Sequence, residues 1–255
     1  ETAAETDREH RMTRTPLLAG ALVAAALAAA PAAAHDHVTI GFISTLSGGA
    51  AHLGVDARDG FMLAIERSGR EDVEVIIRDD GLKPDVAKTI SDEMIQRDRV
   101  DVMTGIIFSN VAMAVVPPAV RQGVFYLSVN AGPSALAGRG CHENYFNVAW
   151  QNDDLHQAMG GHVAAEGYEA PFILAPNYPA GTDALAGFKR GYGEAPAAEI
   201  YTKLGQTDYA AEIAQIRASG ADSVFYFLPG GMGIAFMKQY AAAGVEIPVF
   251  GPAFS

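Results

Sequence analysis

The chain has one cysteine, Cys141, so no disulfide can form within it, and without any Cys-x-x-Cys or His-rich spacing a structural zinc is not expected. Cations are scarce: 18 Lys and Arg face 30 Asp and Glu, for a net charge of -12. Residues 1–34 hold four acids and three bases, so the remainder carries -11. An acidic body with scattered bases is a poor partner for nucleic acid or an anionic membrane. Several catalytic signatures are missing: there is no Gly-x-x-x-x-Gly-Lys-Ser/Thr, no His-Glu-x-x-His and no Gly-x-Ser-x-Gly. Gly230-Gly231-Met232-Gly233 follows an apolar run, but a dinucleotide-binding turn needs a third glycine where Phe236 stands. Asp79-Asp80 and Asp153-Asp154 are adjacent pairs whose side chains diverge, and they read as solvated loop ends rather than an acid/base couple. The seven histidines are dispersed. These absences point away from an enzyme, and no cofactor is expected.

Long apolar runs are also lacking, with one exception. Met12-Thr13-Arg14 opens a basic region, Leu17 to Ala30 is apolar and rich in small residues, and Ala32-Ala33-Ala34 suits signal-peptide cleavage. The run is short for a bilayer span. Residues 12–34 therefore read as a secretory signal peptide, with Glu1 to Arg11 as an extension ahead of a plausible start, and residues 1–34 stand outside the fold. Cleavage after Ala34 would place His35-Asp36-His37 at the new amino terminus. That triplet can bind Cu(II) or Ni(II), although a disordered polar end is the simpler reading, and no metal residue is assigned.

What is present is a steady alternation of strand and helix patterns. The stretch Val100 to Pro118 is central. An apolar run suited to a buried parallel strand breaks at Phe108-Ser109-Asn110 and resumes as Val-Ala-Met-Ala-Val-Val, a helix expected to stop at Pro117-Pro118. Ser109 and Asn110 fall where a strand's carboxyl end meets a helix's amino end, and both suit an N-cap. Backbone N–H groups and the helix dipole there favour a carboxylate or phosphate. Before this stretch, the patterns predict strands over 38–44 and 73–79 and helices over 56–68 and 84–97. Beyond it come strands over 124–129 and 145–149. After Trp150–Asp154 the rhythm restarts, with helices over 155–166, 183–192, 209–219 and 233–243 and strands over 171–176, 198–203, 224–228 and 247–250. The fold class is α/β, with parallel sheets in two Rossmann-like three-layer lobes, residues 37–149 and 150–250. Phe250 to Ser255 looks like an interruption that leaves an apolar sheet edge open, which suggests a fragment.

Five loops collect at carboxyl ends of strands: 47–49, 108–110, 128–132, 177–181 and 229–231. They offer small residues, amides, hydroxyls and one aromatic ring, which suits neutral hydrogen-bond recognition of a small ligand between two hinged lobes.

With these loops in view, the chain from Val38 to Ser255 resembles the branched-chain amino-acid-binding family of periplasmic receptors for ABC importers, the type I periplasmic binding fold. The carriers are I-S-T-L-S-G-G-A-A-H-L-G at 43–54, T-G-I-I-F-S-N at 104–110, S-V-N-A-G-P-S at 128–134, Y-P-A-G-T-D-A-L-A-G-F-K at 178–189 and F-L-P-G-G-M-G at 227–233. The resemblance implies two lobes joined by three crossovers, a first lobe completed by later sequence, periplasmic location, and permease and ATPase subunits as partners of a monomeric receptor. Residues 251–255 would begin the second crossover back to the first lobe. It also implies a site. Leu53 and Ile107 would flank the ligand's apolar part; Ser109, beside Asn110, would meet its carboxylate together with the backbone of Asn130, Ala131 and Gly132. Tyr178 or the Ala180 backbone, with Pro229 and Gly230, would close from the second lobe. Two departures matter: amino-acid binders carry a threonine where Gly132 stands and an acid near Ala253. A buried ammonium without a carboxylate would cost several kcal/mol, so a free amino acid is disfavoured. The segments N-Y-P-A-G-x-D-A-L-A-G-F-K and P-G-G-M-G resemble more closely the branch of receptors for aromatic acids and other hydrophobic carboxylates, which implies a small hydrophobic carboxylate, an aromatic acid first, as the ligand. A branched-chain amino-acid receptor and a ligand-sensing domain of a signalling system remain the alternatives.

Overall fold

The computed structural model describes residues 37–252. The signal-peptide reading of 12–34, the extension before it, His35 and Asp36 of the histidine triplet, and the last three residues lie outside the described residues. Among the described residues no helix is long and apolar enough to cross a membrane.

Two parallel sheets form the two lobes. The first has the order β2-β1-β3-β4-β5, from β1 (Val38–Ser44), β2 (Val73–Asp79), β3 (Val102–Thr104), β4 (Phe125–Ser128) and β5 (Tyr145–Asn147). The second has the order β7-β6-β8-β9, from β6 (Pro171–Pro176), β7 (Ala198–Thr202), β8 (Ser223–Tyr226) and β9 (Val249–Phe250). Register is in step, with Ile40 beside both Val75 and Val102. All six residues of β6 are buried, as a central strand covered on both faces requires.

The helices are α1 (Ala51–Ser68), α2 (Pro84–Gln96), α3 (Ser109–Arg121), α4 (Ser134–Ala137), α5 (Asn152–Ala165), α6 (Pro179–Tyr192), α7 (Ala210–Ala218) and α8 (Gly231–Ala242). Four differ from expectation in ways that reach the site; one is α5, which opens at Asn152 rather than Leu155 and so makes Asn152 its first helical residue. α1 and α6 begin five and four residues early, at Ala51 and Pro179, where Gly54 and Gly181 let the first turn lie against the backbone of Thr45 and Pro176. Leu53 and Ala180 therefore sit in helical first turns rather than in loops. α3 does not stop at Pro117-Pro118 but runs on to Arg121. Those prolines supply no N–H to the carbonyls one turn back, a cost of about 3 kcal/mol in an isolated helix. Burial of Val115, Val116, Ala119 and Val120 outweighs it. The cap of α3 is the extended backbone of Phe108, and Ser109 and Asn110 are its first two helical residues.

In each aspartate pair one carboxylate is exposed, Asp79 or Asp154, as a solvated end would be, and the other, Asp80 or Asp153, is drawn into the fold. Asp80 is fully buried and accepts hydrogen bonds from Thr45 Oγ1 at 2.7 Å and Leu82 N at 2.7 Å. Burial, with the neighbouring charge of Asp79, pushes its carboxyl up. Asp79 is held down, because hydrogen bonds from Ser47, Leu46 and Gly81 exceed the effect of burial. Asp153 sits in the first turn of α5 and accepts from Ser134 Oγ at 2.7 Å, Gln151 Nε2 at 2.6 Å and Arg190 Nη2 at 2.7 Å. Burial alone would raise its carboxyl; those three bonds hold it at about 2.

Candidate ligand-binding site

A cavity of about 30 Å³ lies between the lobes, at the carboxyl ends of the strands. From the first lobe, the chain leaves β3 through Gly105, whose φ of +99° only glycine adopts without strain, and brings Ile107, Phe108 and Ser109 to the wall. The turn after β4 adds Asn130 and Ala131, fixed by Asn130 Nδ2 donating to Ile107 O at 2.8 Å. The second lobe supplies Tyr178 and Ala180 from the start of α6, and Phe227 and Pro229 from the turn after β8.

Ser109, Asn130, Ala131, Leu53, Ile107, Tyr178, Ala180 and Pro229, all named from the sequence, thus meet at one cavity. Asn110, Gly132 and Gly230 are not on its wall. Asn110 is the second residue of α3, with a buried Oδ1 that has no partner. The Gly132 amide donates to Asn152 Oδ1 at 3.3 Å, so it is already engaged. Gly230 is at the lip, where an added Cβ would lie 3.2 Å from His52 and 3.4 Å from Leu53 of the opposite lobe.

Sequence reading missed Phe108, Trp150, Asn152, His156 and Phe227. Asn152 is the hub. Its Nδ2 donates to Ser109 Oγ at 3.1 Å and to Asp183 Oδ2 at 3.0 Å, while Asp183 also accepts from Ser134 N at 2.9 Å. Because Ser109 Oγ accepts from Asn152, its own hydrogen is free to donate. The amides of Ser109, Asn110 and Val111 precede Ala112 N, the first to find a carbonyl within α3 (Phe108 O, 3.0 Å). The polar end of the cavity is therefore rich in neutral donors at a helix amino terminus. The rest joins the aliphatic Leu53, Ile107 and Pro229 to a group of rings: Tyr178 stacks parallel to Phe227 at 6.3 Å between centroids, and Phe108 lies 6.2 Å from Tyr178. Burial, and then the charge of Asp183, raises the Tyr178 phenol, which stays protonated. Burial lowers His156 to about 4 against the opposing pull of Asp153, so its imidazole is neutral at physiological pH. No Asp, Glu, Lys or Arg among the described residues lines the cavity.

Residues 37–255 match the model of a family described as periplasmic binding protein. The chain belongs to that family. As a periplasmic binding protein it is similar to the Leu/Ile/Val-binding protein homolog 6 of Brucella melitensis biotype 1, 28% identical over 237 residues that cover 88% of this chain and 60% of the relative. Among solved structures it is similar to an ABC-transporter solute-binding protein from R. palustris in complex with benzoate. That match has TM-score 0.82 and 27% identity, and covers 86% of this chain and 62% of the other. A second is the solute-binding protein of Rhodopseudomonas palustris BisB5 in complex with 3,4-dihydroxybenzoic acid, with TM-score 0.79, 28% identity and coverage of 86% and 62%. The α/β fold with parallel sheets in two lobes is that of these type I neighbours. The chain spans about 60% of the length of the curated relative.

Proposed function

We propose that this chain forms the ligand-capturing part of a periplasmic solute-binding protein that delivers a small aromatic carboxylate to an ABC importer. The observation that carries the reading is the pairing of neutral donors at the amino end of α3 with the Phe108, Tyr178 and Phe227 rings in one interlobe cavity. The carboxylate is received by the Ser109 hydroxyl and the free amides beside it, favoured by the helix dipole. The ring of the ligand lies against the aromatic wall. A free amino acid would bring an ammonium into a cavity whose described walls hold no carboxylate, a cost of several kcal/mol. The benzoate and dihydroxybenzoate bound by the R. palustris neighbours support the same class. At about 30 Å³ the cavity is some tenfold below the size of ordinary ligand pockets, so capture requires the lobes to part and close again around the guest. Periplasmic location, a monomeric state and permease and ATPase partners complete the proposal, in which the protein itself performs no chemistry.

A thermal-shift panel tests it, with benzoate, cinnamate, medium-chain fatty acids, leucine, isoleucine and valine. Aromatic acids are expected to raise the melting temperature, since a ligand at a hundred times its Kd adds about 2.7 kcal/mol. A shift with leucine and none with benzoate or cinnamate would overturn the aromatic assignment. Ser109→Ala is expected to weaken benzoate binding about tenfold in calorimetric titration, the scale of a hydrogen bond to a charged group; unchanged affinity would remove Ser109 from the site.

A further inference from the structure

The role of His156 rests on the aromatic-acid reading, which leaves its polar ring without a task. His156 is 3% exposed, and its ring nitrogens, which no hydrogen bond within the described residues engages, are not among the fully enclosed unpartnered atoms. Its ring lies 4.9 Å from Phe227 and 5.6 Å from Phe225, an apolar setting for a group with two polar atoms. It also lines the cavity, so the ring has an outlet on the ligand side. Nitrogens open to this cleft lose their access to water when a ligand fills it, and a polar group left unpaired there is expensive.

The spacing along α5 says where on the ligand His156 acts. Asn152 and His156 are four residues apart and share one helix face, with Cβ atoms about 5–6 Å apart. Asn152 touches Ser109, at the carboxylate end. His156 is one turn farther along α5, with its ring against Phe225 and Phe227 of the second lobe. We propose that His156 reads a hydroxyl on the ring of the ligand, opposite its carboxylate, so that the preferred ligand is a hydroxylated aromatic acid rather than an unsubstituted one. A neutral imidazole offers one donor and one acceptor, which a phenol satisfies by giving its hydrogen to one nitrogen or accepting from the other. An acid lacking the hydroxyl leaves that imidazole unpaired in a dry cleft, and sites built this way discriminate strongly against the missing group.

Calorimetric titration with benzoate, 3-hydroxybenzoate and 4-hydroxybenzoate, on the unaltered protein and on His156→Phe and His156→Gln, tests the inference. The unaltered protein is expected to prefer 4-hydroxybenzoate over benzoate by at least about tenfold. His156→Phe keeps the ring contacts but not the polar atoms, and should bring that ratio to about one. His156→Gln should recover part of the preference. Equal affinity of the unaltered protein for benzoate and 4-hydroxybenzoate would overturn the proposal even if neither variant folds. So would equal loss of both ligands in a folded His156→Phe, which would place the imidazole at the carboxylate instead. If no aromatic acid binds, the aromatic-acid reading itself falls and the role of His156 falls with it.

Discussion

Gly187→Ala is expected to lower the stability of the protein by about 3 kcal/mol, the upper end of the cost of overpacking a close-packed contact. α5 and α6 meet backbone to backbone. A Cβ on Gly187 would stand 2.2 Å from Asp153 O, one on Gly160 2.0 Å from Phe188 O, and one on Gly191 1.9 Å from Gln157 O. Each obstacle is a carbonyl fixed in a helix, not the tip of a side chain that can swing aside. Relief requires the helices to separate, and α5 carries Asn152 and His156 while α6 carries Ala180 and Asp183, so the site would be disturbed as well. Gly161→Ala is the control. Its nearest neighbour is Gly191 O at 3.8 Å, ordinary contact, and the exchange gains up to about 1 kcal/mol of helix propensity. Urea melts should place Gly187→Ala well below the unaltered protein and Gly161→Ala at or above it. A Gly187→Ala midpoint equal to that of the unaltered protein would refute the backbone-contact account.

Asp153→Asn is expected to cost about 2 kcal/mol at pH 7, with a pH dependence that identifies the cause. Asparagine keeps one acceptor oxygen for the donors Ser134 and Gln151 but loses the charge that pairs with Arg190. The folded carboxyl is held at about 2, below its unfolded value of 3.8. The stability it lends is therefore complete above pH 4 and is lost as pH falls toward 2. Stability measured from pH 7 downward should show the unaltered protein and Asp153→Asn separated at neutral pH and converging below about pH 3. A constant gap across that range would mean that the variant acts through shape rather than charge. Because Ser134 belongs to the first lobe and Arg190 to the second, this carboxylate is one of the points at which the lobes are joined.

The sheet strands were the most legible part of the sequence. β1, β2 and β6 begin and end where their apolar runs do, because turn-forming or charged residues bracket them. Helix starts were the least legible. Ala51 and Pro179 open helices whose first turns lie against neighbouring backbone, Thr45 beside Gly54 and Pro176 beside Gly181, and such an approach leaves no local pattern to read. Pro117-Pro118 misled for the opposite reason: a strong local stop signal was overruled by the burial of the residues that follow it. In the site, Ser109 and Tyr178 could be read because they fall at strand-to-helix junctions. Asn152 and His156 could not, since the polar run Trp150–Asp154 looked like a lobe boundary. Their spacing of four on one helix, directly after an isolated tryptophan, was the available signal. Asp153 was passed over because an adjacent acid pair says nothing about the three donors that fold around it.

The wall of the cavity includes Trp150, and the chain has no other tryptophan. Emission excited at the red edge of indole absorption therefore originates at this one position, free of background from the nine tyrosines. The lone thiol is also convenient, since Cys141 is exposed in the first lobe and a maleimide dye placed there would be an energy-transfer acceptor for the indole. The amino-acid composition has thus left the protein with one native optical reporter at its cleft, whose emission can follow filling of the cavity, and one exposed thiol in the first lobe for attachment, without altering a single residue.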